Sequence, residues 1–144
     1  MRRLLIAVSS CVLLPAAAAS AADAVSGNFK GKTSQGEQVS FKIMDGNVYI
    51  SSFKWFARCA NPRVTFSGST TFGGRLTGDD YYDHDTRVGP VQGGYQARRT
   101  ETIHFTVTGH VLRGTFRLVA VLYGGSGVQQ TTCSTPRVTY KARG

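Results

Sequence analysis

The chain has little of what catalytic and metal-binding sequences are usually built from. Only 3 cysteines occur in 144 residues. They form no C-x-x-C pair, and His84, His104 and His110 show no H-x₃₋₅-H spacing, so a zinc site is not expected. A G-x-S-x-G elbow is missing, and Ser126, within Gly124-Gly125-Ser126-Gly127, has no such context. Acids are scarce too, with 8 Asp and Glu against 17 Lys and Arg. Beyond the first residues no stretch has helical periodicity, which argues against a helical or α/β domain. None there is long and apolar enough to span a bilayer as a helix. No internal repeat or linker is visible, so one domain is expected.

The N-terminus reads as an export signal. Arg2 and Arg3 precede an apolar run from Leu4 to Leu14, and small residues follow. Ala19-Ser20-Ala21 fits the small-x-small pattern of a cleavage site, which divides the chain into a signal helix over residues 1–22 and a domain over 23–144. A lipoprotein reading, with Cys11 acylated, competes with this. The apolar run continues past Cys11 through Val12, Leu13 and Leu14, which does not suit lipid attachment. Cleavage leaves no further span, and the destination is secreted, periplasmic or cell-surface. It also leaves Cys59 and Cys133 in an exporting context, where a disulfide is the default.

What is present is short alternating runs punctuated by glycine, the pattern of an all-β domain. Val39, Phe41 and Ile43 alternate with Ser40 and Lys42. Asp45-Gly46 is a hairpin signal, because both residues tolerate positive φ. The next stretch holds the one tryptophan, Trp55. Val48 and Ile50 are out of phase there with Phe53 and Trp55, which predicts a bulge at Ser51-Ser52. Val64 and Phe66 point inward after Asn61-Pro62, and a weaker strand lies near residues 70–76. Residues 77–97 are the least regular and read as a loop. Regular alternation returns at Ile103, Phe105 and Val107, turns at Gly109-His110, and runs on through Leu112, Phe116, Leu118 and Leu122. A last strand over 131–143 is interrupted by Pro136. About eight antiparallel strands result. They form a small meander barrel if the last pairs with the first, and a two-sheet sandwich otherwise.

The opening of this domain resembles an uncharacterised family of bacterial exported β domains. The residues concerned are Phe29-Lys30-Gly31-Lys32-Thr33-Ser34-Gln35-Gly36, Val39-Ser40-Phe41-Lys42 and the Asp45-Gly46 turn. Those sequences open with Y/F-x-G-x-T-S-Q-G-x-x-V-S-F and close their third strand on a cysteine, as at Cys59. They end on a Thr-Cys pair and a basic aromatic strand, similar to Thr132-Cys133 and Thr139-Tyr140-Lys141-Ala142-Arg143. The resemblance covers the first third and the last strand. It implies export, the β fold and the cysteine pairing, and implies no chemistry.

The candidate binding loop is Asp79, Asp80, Tyr81, Tyr82, Asp83, His84 and Asp85, with Tyr95 at its far end. Its carboxylates are of the type that wraps Ca²⁺, but the glycine and glutamate of an EF-hand are missing, so a solvated turn and no metal are expected. Its tyrosines either stack on sugars and peptides or fold down onto the core. No catalytic residue and no cofactor are assigned. Without Arg2 and Arg3 the chain keeps 15 basic residues against 8 acids, a net +7. Such a charge suits an anionic envelope polymer or a glycan. No basic run exceeds Arg98-Arg99, so the cations read mainly as solvated strand faces. Without an RNP-like motif, Arg113 and Arg117 do not argue for nucleic acid. The resulting reading is a non-catalytic binding or surface-interaction module. The alternatives are a small secreted enzyme using His104, Glu101 or the loop aspartates, and a barrel carrying a small apolar ligand.

Overall fold

The computed structural model describes residues 25–91 and 93–144, without the side chains of Ser51 and Ser52. The expected leader and Cys11 lie outside the described residues. Among the described residues ten strands form one sheet: β1 (Gly27–Thr33), β2 (Gln38–Met44), β3 (Asn47–Cys59), β4 (Thr65–Ser69), β5 (Gly73–Arg75), β6 (Asp80–Pro90), β7 (Gln96–Thr108), β8 (Val111–Tyr123), β9 (Gln129–Ser134) and β10 (Val138–Arg143). Ten replaces the expected eight for two reasons. The last strand divides in two around Pro136, and residues 80–90 form a strand where a loop was read. All pairings are antiparallel.

The last strand does pair with the first, so the chain closes as a barrel. The circuit β10-β1-β2-β3-β9-β8 is completed by β10 on β8. Its geometry follows from the edges of β8. β7 occupies one edge along the full length of β8. β10 and β9 therefore lie end to end on the other, against residues 111–116 and 119–123. At the break between them Thr135 keeps the ladder going: its N–H donates to Leu118 O at 3.0 Å, and its hydroxyl accepts from Leu118 N at 2.9 Å. The β1–β2 hairpin fills the wedge between β10 and β3.

Gly31 makes that closure possible. A Cβ there would sit 1.9 Å from the carbonyl oxygen of Lys141 on β10. Two backbones this close admit only glycine. The adjoining turn ties the wedge at both sides. Ser34 N donates to Thr139 O at 2.7 Å, and Thr139 N donates to Ser34 Oγ at 3.1 Å. The Gln35 amide exchanges two bonds with the backbone of Phe56 on β3, at 2.7 and 3.0 Å. The expected bulge is present, because Ser40 faces Ser52 while Phe41 faces Ile50, leaving Ser51 as the extra residue.

Side chains fill the interior. Phe41 meets Phe105 and Tyr140 with ring centroids at 5.3 and 5.4 Å, and Phe53 meets Phe116 at 4.7 Å. These rings occupy the space in which an apolar ligand would have to sit. Cys59 and Cys133 are bonded, with Cα atoms 3.8 Å apart. Most disulfides hold their Cα atoms about 4.4–6.8 Å apart. Here the two residues are direct cross-strand partners on β3 and β9, which brings the Cα atoms closer.

Candidate binding face

Sheet alternation decides the fate of the acidic tyrosine segment. It lies on β6, paired with β7 from Asp80↔Thr106 to Pro90↔Gln96, and is not a loop. Its carboxylates consequently point to two different faces. Tyr81 turns inward, 3 % exposed, and stacks on Phe105 with centroids 4.8 Å apart. Burial first, and then the charge of Asp83, push its phenol up to about 12. Among the described residues its hydroxyl makes no hydrogen bond of normal geometry, although the Asp83 carboxylate also bears on it. Asp83 and Asp85 share that side of the strand. Asp85 holds Arg87 at 2.5 Å, a bond that lowers its carboxyl below the usual range. Asp79 lies outside β6 and accepts Val107 N through its backbone oxygen at 2.9 Å. Tyr95 is half-buried against the core. Among the described residues no three His, Cys, Asp or Glu side chains converge on a metal site.

Asp80, Tyr82 and His84 take the opposite, outer face. His104 on β7 lies beside Tyr82 and hydrogen-bonds Asp80 through Nε2 at 2.7 Å. His84 Nδ1 meets Thr102 Oγ1 at 2.8 Å. Tyr82 remains 63 % exposed. It borders a groove of ≈ 770 Å³ whose other walls include Thr102, His104, Thr115, Arg117, Pro136 and Arg137. Glu101, two residues before Ile103 on the inner side of β7, is 2 % exposed. Its carboxylate accepts the hydroxyl of Thr70 and stands 4.0 Å from the Arg99 guanidinium. Glu101 therefore fastens β7 to the segment between β4 and β5. It lies across the sheet from His104, and the two do not converge.

The outer face continues across β8, β10 and β1, where register aligns the cations. Arg113 faces Lys141, and Lys141 faces Lys32. In the next row Arg143 faces Lys30. All five side chains are exposed, and among the described residues none is in an ion pair. Directly opposed residues in a sheet hold their Cβ atoms about 5 Å apart, so like charges there repel. A shallow depression of ≈ 370 Å³ opens at this row, lined by Lys32, Arg113 and Lys141 with Ser34 and Thr139. Thr115 faces both His104 and Thr139, so the row adjoins the groove beside Tyr82.

Five of the cations are thus aligned in register on one face, while others, such as Lys42, Lys54, Arg58 and Arg98, are exposed on other strands. A signal for this exists in the sequence. Lys30-x-Lys32 and Lys141-x-Arg143 repeat every two residues, the spacing that places strand side chains on one side. A search for adjacent basic residues passes over it.

No protein-family model, curated protein or solved structure matches this chain. The fold is all-β and the disulfide is compatible with an extracellular domain. Among the described residues no helix is long and apolar enough to cross a membrane.

Proposed function

We propose that this chain is an exported, non-catalytic binding domain whose basic outer face takes an anionic polymer. One observation carries the reading: the row Lys32–Lys141–Arg113, flanked by Lys30–Arg143, opposes like charges in register, with no ion-pairing acid among the described residues. Such an arrangement costs the free protein stability, and an anionic partner turns that cost into affinity. The disulfide and the resemblance to exported β domains support the extracellular setting. The separation of His104 from Glu101 by the sheet, and the engagement of Asp80 by His104, favour binding over glycoside hydrolysis, which generally uses two carboxyl groups flanking one bond.

Dextran sulfate of defined length serves as a probe, with fluorescence anisotropy as the readout. Its affinity is expected to fall steeply with salt, because counterions are released and exposed charges are screened. The pair Lys32→Glu and Lys141→Glu should abolish binding. The pair Lys54→Glu and Arg58→Glu makes the same change in net charge elsewhere on the outer surface and should leave binding within about twofold. Equal losses from both pairs would show that net charge, and not this face, attracts the polymer.

A further inference from the structure

We propose that the groove beside Tyr82 is a sugar-ring subsite, and that the polymer recognised is an acidic polysaccharide. The inference rests on the binding reading above and names the class of ligand.

Three features of the groove select that chemistry. Its volume of ≈ 770 Å³ falls in the range of small-ligand sites. Tyr82 supplies one exposed ring at its border, 63 % accessible. His104 lies beside it, with centroids 6.5 Å apart and planes tilted by 55°. That tilt keeps the imidazole from stacking over the phenol ring, leaving it able to lie against the C–H face of a pyranose.

The walls are the second feature. Thr102 and Thr115 line them, and each hydroxyl both donates and accepts hydrogen bonds, as sugar hydroxyls do; Thr135 beside them is buried and keeps its hydroxyl on Leu118 N. Thr102 is positioned by His84, and His104 by Asp80, so two of the polar walls are held by neighbours.

The third feature is charge. Arg117 and Arg137 line the same groove, and among the described residues neither guanidinium is in an ion pair. A guanidinium presents a planar fork matched to a carboxylate, which a uronic acid carries on its ring. From Thr115 the face leads to Thr139 and the Arg113–Lys141–Lys32 row. A chain with one ring on Tyr82 therefore has cations for the acid groups of the following sugars. A single-stranded nucleic acid would call for successive aromatic platforms, and this groove offers one tyrosine.

The test uses a galacturonate hexamer as probe, with a neutral dextran hexamer and an oligothymidylate of similar charge beside it, followed by titration calorimetry. The galacturonate is expected to bind and the dextran not to. Tyr82→Ala should weaken galacturonate by about tenfold, and Tyr82→Phe, which keeps the ring, should stay within about threefold of the parent. Arg117→Gln with Arg137→Gln should weaken it further, with unchanged melting temperatures showing that the variants fold. Galacturonate affinity unmoved by Tyr82→Ala, or oligothymidylate binding more tightly than galacturonate, would overturn the sugar subsite. If dextran sulfate still bound through Lys32 and Lys141 in that case, the anionic-polymer reading would survive alone. Absence of binding to every anionic probe would overturn both.

Discussion

Tyr81 and Tyr82 are neighbours in the chain and opposites in environment. One residue of strand separates a phenol sealed against Phe105 from a phenol in water. The buried ring makes a pH dependence. Tyr81 is pushed up to about 12, and burial raises Tyr140 well above the ordinary tyrosine range, with the charge of Tyr81 a lesser cause. A raised pKa means that the fold favours the protonated phenol. That stability is complete below the unfolded value of about 10 and is lost as pH rises towards the folded value, at about 1.4 kcal/mol per unit for each group. Denaturant midpoints should therefore hold to about pH 10 and fall steeply by about pH 12. Because the Tyr81 hydroxyl makes no hydrogen bond of normal geometry among the described residues, Tyr81→Phe should be neutral or stabilising at pH 7 and should flatten the alkaline fall. An alkaline slope identical to the parent's would show that Tyr81 does not contribute. The same alternation explains why the basic face was hard to read at this scale: one residue separates Lys30 from Lys32 and Lys141 from Arg143, and only pairing across strands makes the two pairs neighbours.

Among elements, the strands that bury one face were legible. Val39-Phe41-Ile43 and Ile103-Phe105-Val107 alternate apolar and polar residues, and the structure buries each of these six. β6 was not legible, because only Tyr81 on it is fully buried and every other position is polar, glycine, proline or the exposed Val88. Its strand conformation comes from pairing with β7, and no apolar period records that. The seam between β3 and β9 also escapes local pattern, since it consists of two register pairs, Arg58↔Ser134 and Cys59↔Cys133. Ala60 N to Thr132 O, at 2.9 Å, extends it slightly. So short a ladder depends on its covalent bond. The residues joined are 74 apart in sequence, a separation for which loop closure is worth roughly 4 kcal/mol. Cys59→Ala with Cys133→Ala should cost about 2–5 kcal/mol in denaturant unfolding. Amide exchange should rise first at residues 58–60 and 131–134 while β7 and β8 stay protected. Uniform loss of protection would show that the bond supports the whole barrel and not this seam.

At the scale of the whole molecule, the fold gathers cations that the chain keeps far apart. Lys30 and Lys32 come from the first strand and Lys141 and Arg143 from the last, and closing the barrel sets them face to face beside Arg113. Lys141 opposes two cations at once, so it is the position at which repulsion and binding are most tightly linked. Opposed like charges cost on the order of 0.2–1 kcal/mol per pair, and salt screens them with a Debye length of about 10 Å at 0.1 M. Lys141→Gln removes two such pairs while keeping a long polar side chain on an exposed strand. It should raise stability by about 0.5–1 kcal/mol at low salt, and the gain should shrink as salt is added. The same change should weaken binding of an anionic polymer, so that stability and affinity move in opposite directions. Thermal melts at two salt concentrations, run beside the anisotropy titration, measure both. If Lys141→Gln destabilises the free domain at low salt, the aligned cations are not in net repulsion. The face would then be an ordinary solvated surface, and the case for an anionic partner would lose its foundation.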